Sequence, residues 1–374
     1  MNGPLAGIKV IEIGQALAGP LAGAILADMG ADVIKIEKPD GGDDARSWGP
    51  PFIEEASIMF HVTNRNKRSV TLDMKTAADV EKLKTLVRDA DILIQNLRSG
   101  VVASLGIGPD DLMAVNPRLI YCSIWAFGPK GPLSKAPGFA PLLQAYSGVM
   151  MQTGRADDPP TFCAPAINDK ATAQWCVIGA LAALQQRHVT GKGAVIDTSL
   201  LDSAASWVDT SLATYRVTGD LSPRTGTAAP SIVPYQVFET ADKPMVIAAG
   251  YDRLFHRCAQ ILGHPEWITD ERFARGRDRA AHREVLIPLM QDVTRTKTRA
   301  EWIAAFEAVG VPCGPVNTFV ELSETDQFKA ADLMRSLPGS GLDVVGLPIA
   351  FDGARPHPHS GAPKLGEHNK DVLG

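Results

Sequence analysis

Apolar positions in the first half of the chain fall in short, nearly continuous runs. IKVIEI at 8–13, DVIKIE at 32–37, VTLDM at 70–74, DILIQN at 91–96, LIYCSI at 119–124 and AVIDTSL at 194–200 read as strands. Runs of this length and composition suit strands buried on both faces. Helical patterns separate them. One turn and helix spans Gly14 to Gly30, with Pro20 suited to the first helical position. An amphipathic helix covers 76–89. A long helix begins near Asn168, runs to about Arg187 through the small residues GALAAL (179–184), and ends at the TGKG turn (190–193). Helical pattern resumes after 200 and continues to about Tyr215. This alternation predicts an α/β fold with a mostly parallel sheet, helices on both faces and right-handed crossovers. Residues 125–168 are rich in Gly and Pro and read as loops over the sheet edge.

The second half differs. Residues 217–232 are polar and mark a linker. Beyond it lie a strand pair (YQVFET and MVIAAG) and several amphipathic helices to about 308, which suggest a smaller α/β domain. From 345 the chain is rich in Pro and His and reads as an extended return segment. The 374 residues, 45% hydrophobic, can fill two domain cores. A net charge of −5 gives no overall positive field, which argues against nucleic acid or a membrane surface as partner. The five cysteines are odd in number and lack CxxC spacing, so a reduced compartment is expected rather than a disulfide framework. The N-terminus shows no signal-peptide pattern, and no apolar run approaches ~18 residues. The expectation is a cytoplasmic protein without a membrane span.

Candidate chemistry is sparse. Gly14, Gly19 and Gly23 after the first strand do not form G-x-G-x-x-G, and no Walker loop occurs, so NAD and nucleoside triphosphates are not expected. Gly19 and Gly23 read as tight helix–strand packing. Asn64-Arg65-Asn66-Lys67-Arg68 places three cations in a short stretch before a strand. It reads as a solvated turn, with phosphate binding as the alternative. Asp169 lies where the long helix starts. Helix capping is the ordinary role there, but the same place favours an ionised carboxylate that could act as a nucleophile. Histidines are scattered without metal-site spacing, so no metal is expected, and no serine lies in G-x-S-x-G.

Taken in order, LAGPLAG (17–23), LADMGADVIKIEKP (26–39), GDDAR (42–46), NRNKRSVTLDMK (64–75), QNLRSG (95–100), FGPKGP (127–132), NDKATA (168–173), GKGAVIDTSLLD (191–202), GVPCGPV (310–316) and LGEH (365–368) resemble the family III CoA-transferases. That group includes formyl-CoA transferase and the carnitine CoA-transferase, and the likeness spans nearly the whole chain. The resemblance implies a large Rossmann-like domain built from both chain ends. Its parts would be 1–216 and the return segment 326–374, with a small domain at 233–325 and an interlocked homodimer. It implies coenzyme A and acyl-CoA as substrates, a small carboxylic acid as co-substrate, and Asp169 as nucleophile. Coenzyme contacts carry over to Leu17, Ala18, Lys38, Leu72, Asp73, Met74, Lys75, Asn96, Leu97 and Arg98. Phe139 and Ala140 would line a weakly polar acyl pocket, one that does not favour oxalate. The segment AAGYD (248–252), with Gly250 its one glycine, is the candidate to close over an aspartyl-acyl anhydride.

Two other readings belong to the same fold. A 2-methylacyl-CoA racemase needs an acid/base pair at the α-carbon. The corresponding positions here are Gly138-Phe139-Ala140 and Val233 before Pro234, which do not titrate. A subunit of a heteromeric transferase also stays open, although retention of Asp169 argues against a silent one.

Overall fold

The computed structural model describes residues 3–374. The chain divides into two units. One comprises the residues up to Val149 with Phe162–Asp209 and Lys329–Gly374; the other comprises Met150–Thr161 and Thr210–Phe328.

The first unit carries six strands: β1 (Lys9–Ile13), β2 (Asp32–Glu37), β3 (Lys67–Thr71), β4 (Ile92–Gln95), β5 (Ile120–Trp125) and β6 (Ala194–Ser199). All pair in parallel, in the order β3-β2-β1-β4-β5-β6. Winding proceeds outward from β1 on one side and from β4 on the other. In open α/β sheets the crevice at such a reversal, beyond the carboxyl ends of the strands, is where ligands bind. The helices used below are α1 (Ala18–Asp28), α2 (Ile58–Asn64), α3 (Ala77–Arg88), α4 (Ala140–Tyr146), α5 (Ile167–Thr190) and α6 (Leu200–Trp207).

Strand side chains alternate between two cores. Val10, Val33, Ile92, Ile94 and Cys122 pack with Ala22 and Leu26 of α1 and Cys176 and Ala180 of α5. Ile11, Ile34, Leu93 and Tyr121 pack on the opposite face with Val80, Leu83 and Val87 of α3. At the open edge, the C-terminal segment covers β3. Ser69 O accepts from His368 N at 3.0 Å, and Thr71 N donates to Asn369 Oδ1 at 2.9 Å. An otherwise unpaired edge is thereby protected.

In the second unit, β7 (Tyr235–Phe238), β8 (Met245–Ala248) and β9 (Cys313–Pro315) form an antiparallel sheet in the order β9-β8-β7. Its core includes Phe238, Ile247, Phe255, Trp302 and Phe306.

Several boundaries differ from the sequence pattern. β3 starts at Lys67 rather than Val70, because Lys67 and Ser69 are buried polar residues that break the apolar run. Pro20 is the third residue of α1, not its first. α4 lies within the stretch read as loop, and β9 has only Cys, Gly and Pro to announce it. The polar stretch 217–232 falls inside the second unit. There Arg224 Nη2 donates to Ala156 O at 2.9 Å and Gly226 N to Gly154 O at 3.0 Å, pairings that composition cannot reveal.

Candidate functional site

Glu12 and Lys35 are register partners on adjacent strands, so their side chains meet on the α1 face of the sheet. Both are fully buried. Lys35 Nζ donates to Glu12 Oε1 at 2.8 Å and to Gly14 O at 2.8 Å, and pairs with Asp43 Oδ2 at 2.9 Å. The other Glu12 oxygen accepts from Lys67 Nζ at 2.6 Å. Lys67 also donates to Pro20 O at 2.7 Å and Asn64 Oδ1 at 2.9 Å. Burial opposes charge on Glu12, but the two ammonium groups outweigh it and hold the carboxyl below its usual range. Burial also draws Lys67 below the usual lysine range, and Glu12 only partly offsets it. Gly23 makes this arrangement feasible, since a Cβ there would overlap Glu12 Oε2.

These groups support the loop between β1 and α1. Ala16 has φ +66°, a left-handed conformation that costs a residue with a Cβ. Its N–H donates to Asp43 Oδ1 at 2.9 Å. Asn96, just past β4, closes the reversal point: its Oδ1 accepts from Gln15 N at 2.8 Å and its Nδ2 donates to Gln15 O at 2.8 Å. Gly19 permits the approach, because a Cβ there would meet Asn96 Cγ at 3.2 Å. Around the same corner, Glu37 accepts from Asp43 N, Ser69 Oγ and the Arg46 guanidinium, which stacks 3.8 Å over the Phe60 ring.

α5 brings in Asp169. Its C-terminal end is fixed at the amino edge of the sheet by Arg187, whose Nη2 meets Asp91 Oδ1 at 2.7 Å, and by Gly191 at φ +71°. A helix of 24 residues, about 36 Å at ~1.5 Å per residue, therefore starts at the carboxyl edge. The approach to α5 is held by Gln144 of α4, whose amide exchanges two hydrogen bonds with the Cys163 backbone. Asp169 falls in the first turn of α5, after the N-cap Ala166. It is largely buried, with no cation against it among the described residues. Burial pushes its carboxyl up to about 6, against a smaller opposing effect of its own backbone N–H.

A cavity of about 280 Å³ opens there. Its wall gathers Leu17 and Ala18 after β1, Asn96, Leu97 and Arg98 after β4, Phe139 before α4, and Asp169. Its remaining lining includes residues the sequence did not single out, among them Ala16, Trp48 and Trp125. Trp125 Nε1 donates to Asp197 Oδ1 at 2.7 Å. The charged residues on this wall are Asp44, Arg98 and Asp169. Asp44 is already paired with Lys38 Nζ at 2.7 Å, so Lys38 reaches the site's rim through that carboxylate.

Other sequence candidates lie elsewhere. Leu72, Asp73, Met74 and Lys75 leave the carboxyl end of β3 but do not line this cavity. The Leu72 side chain is 1% exposed in the α3 core, and Asp73 N donates to Asp79 Oδ2 at 2.9 Å. Ala140 is buried as the first residue of α4. The Arg65–Lys67 part of the cation cluster is neither a solvated turn nor a phosphate site. Arg65 and Lys67 are buried, Arg65 on Asp28 and Lys67 on Glu12, while Arg68 pairs with Asp32 at 2.5 Å. Gly250 belongs to the second unit. Its O accepts from the buried Arg279 at 2.7 Å, and a Cβ on it would overlap Ile232 Cγ2. The backbone of 248–252 is thus clamped, and the exposed Tyr251 is its free side chain. Glu12, Lys35 and Asp43 were missed, although charges inside apolar strand runs were visible at Glu12 and Lys35.

Among the described residues no cluster of three or more metal-ligating side chains occurs, and no helix is long and apolar enough to cross a membrane. The model of CoA-transferase family III matches residues 5–369. The chain is 38% identical to a succinate–glutarate CoA-transferase of Agrobacterium fabrum, over 99% of this chain and 95% of that one. It is 37% identical to an acetyl-CoA:oxalate CoA-transferase of Acetobacter aceti, over 98% and 94%. A CAIB/BAIF family protein from Brucella suis has a crystal structure that superposes with a TM-score of 0.90, at 38% identity and 100% coverage of both chains.

Proposed function

The chain belongs to CoA-transferase family III and takes coenzyme A thioesters as substrates, and we propose that it moves CoA between an acyl-CoA and a small carboxylic acid by covalent catalysis on Asp169. One observation carries the choice of residue. Asp169 is the carboxylate on the cavity wall that no cation neutralises, whereas Asp44 is held by Lys38. A partly desolvated, unpaired carboxylate is a stronger nucleophile than a hydrated or ion-paired one. With its carboxyl near 6, it is still mostly ionised at neutral pH.

In this mechanism a carboxylate oxygen of Asp169 attacks the thioester carbonyl carbon. The C–S bond breaks, CoA thiolate leaves, and an aspartyl-acyl anhydride forms. The thiolate then attacks the Asp169 carbonyl, releasing the donor acid and leaving an aspartyl-CoA thioester. The acceptor carboxylate attacks that thioester and expels the thiolate. A final attack by the thiolate on the acceptor's acyl carbon frees Asp169 and the new acyl-CoA. Arg98 serves as the cation for a phosphate or carboxylate of the substrates. Phe139, Trp48, Trp125 and Pro137 give the wall an apolar character, which suits weakly polar acyl groups better than oxalate. Racemisation is not favoured, since it needs a second acid/base group across from the first.

The chain is further proposed to work as a homodimer in the cytoplasm. Trp175 and Ile178 on α5 are half exposed, an apolar surface suited to contact with a second copy. The functional test pairs succinyl-CoA or acetyl-CoA with a panel of carboxylic acids. Transfer is expected for the wild type and a loss of at least ~10³-fold for Asp169→Ala, with CoA binding retained. Full activity in that variant refutes the assignment.

A further inference from the structure

The cluster of Glu12, Lys35, Asp43 and Lys67 is an unusual use of buried charge. Each ammonium has three polar partners. Lys35 donates to Glu12 and Gly14 O and forms an ion pair with Asp43; Lys67 donates to Glu12, Asn64 and Pro20 O. Two of those five hydrogen bonds go to backbone carbonyls, at Gly14 and Pro20, on either side of the turn from β1 into α1. Asp43 adds the bond to Ala16 N between them. The segment they bracket supplies Gln15, Ala16, Leu17 and Ala18 to the cavity wall. It is also the segment that holds an alanine at φ +66°.

Stability alone does not explain such a cluster. Buried ion pairs seldom outperform apolar packing of the same volume, because desolvation cancels most of their attraction. What they provide is directional: hydrogen bonds and ion pairs that together leave the attached backbone one arrangement. A binding loop fixed in advance gives up less entropy when its ligand arrives. Gly23 supports the same conclusion, since α1 accepts an absent side chain so that the Glu12 carboxylate can reach Lys67.

We propose that Glu12, Lys35, Asp43 and Lys67 are positioning residues that fix residues 14–20 in the conformation that receives the coenzyme. The proposal rests on the reading of the cavity as the acyl-CoA site. None of the four touches the substrate in this account; they act through the backbone of Gly14, Ala16 and Pro20.

A suitable control exists in the same unit. Asp28 and Arg65 form a nearly as deeply buried ion pair at 2.6 Å that bonds to no residue of the loop. The experiment is calorimetric titration of the full-length chain with free CoA, together with thermal melting. Lys35→Met and Asp43→Ala are expected to weaken CoA binding at least tenfold. Asp28→Asn, despite a comparable fall in melting temperature, is expected to stay within twofold of the wild type. In turnover assays the first two raise KM for acyl-CoA while changing kcat at saturation by less than threefold. A role limited to stability lowers the melting temperature and moves neither constant. Should Lys35→Met fail to fold, Asp43→Asn keeps the acceptor for Ala16 N but replaces the oxygen facing Lys35, and is expected to weaken binding at least threefold. Folded variants that bind CoA as the wild type does overturn the proposal. So does a weakening by Asp28→Asn as large as theirs. A wild type that binds no CoA overturns the reading of the cavity itself, and the proposal with it.

Discussion

Replacing Asp169 by asparagine should stabilise the protein, and by an amount that depends on pH. The carboxyl is raised from 3.8 to about 6, chiefly by burial. Between those values the folded chain holds a proton that the unfolded chain releases. The ionised form therefore costs the native state nothing below about pH 4, and the full penalty above about pH 6. At about 1.4 kcal/mol per pH unit the penalty approaches 3 kcal/mol, and partial exposure reduces it to about 2 kcal/mol. The amide of Asp169→Asn keeps the shape without the charge. Urea unfolding of both proteins across the range from about pH 4 to about pH 8 measures the difference, with equal m-values as the check on comparability. The expected gap in favour of Asp169→Asn opens from near zero at the acid end to about 2 kcal/mol at neutrality. A gap independent of pH, or a variant less stable than wild type at neutrality, refutes the claim that burial is what raises this carboxyl.

Three further outcomes follow from the same structure. The acid limb of kcat/KM for acyl-CoA should fall as pH drops through about 6, because protonation removes the nucleophile; a limb near 4 in a pH–rate profile contradicts this. Gly23→Ala should cost about 3 kcal/mol or more in chemical denaturation, since the added Cβ would overlap a charged, fully buried oxygen. Arg98→Ala should raise KM for acyl-CoA about tenfold with little change in melting temperature, because Arg98 lines the cavity wall rather than either core; steady-state kinetics at two salt concentrations should show a weaker salt dependence than the wild type.

The parallel α/β core was legible because strands buried on both faces leave continuous apolar runs, as in 92–95 and 120–125. Legibility failed where polar residues are buried. Lys67 and Ser69 belong to β3, yet their polarity pushed the apparent strand start to Val70, and the adjacent cations looked solvent-facing. Only three-dimensional register reveals that Glu12 sits against Lys35 and within reach of Lys67. Asp169 was visible as a helix-start acid, which local pattern alone assigns to capping. Its distinguishing property, burial without a counter-ion, belongs to a cavity walled by the start of α6 and the loops after β1, β4 and β5. Asn96 shows the opposite limit. The family resemblance implies a coenzyme contact there, and the structure commits its side-chain amide to both backbone groups of Gln15. The constraint at Ala16 could not have been read from sequence, because alanine gives no sign of a left-handed backbone.

The central claim is that the chain carries CoA on Asp169. Incubation with succinyl-CoA, acid quenching and mass spectrometry of the peptide containing Asp169 tests it directly. The account predicts a CoA adduct on that residue which hydroxylamine removes, leaving a hydroxamate, and which Asp169→Asn does not form. Transfer of CoA between acids with no adduct on Asp169, or with the adduct on another residue, would contradict it.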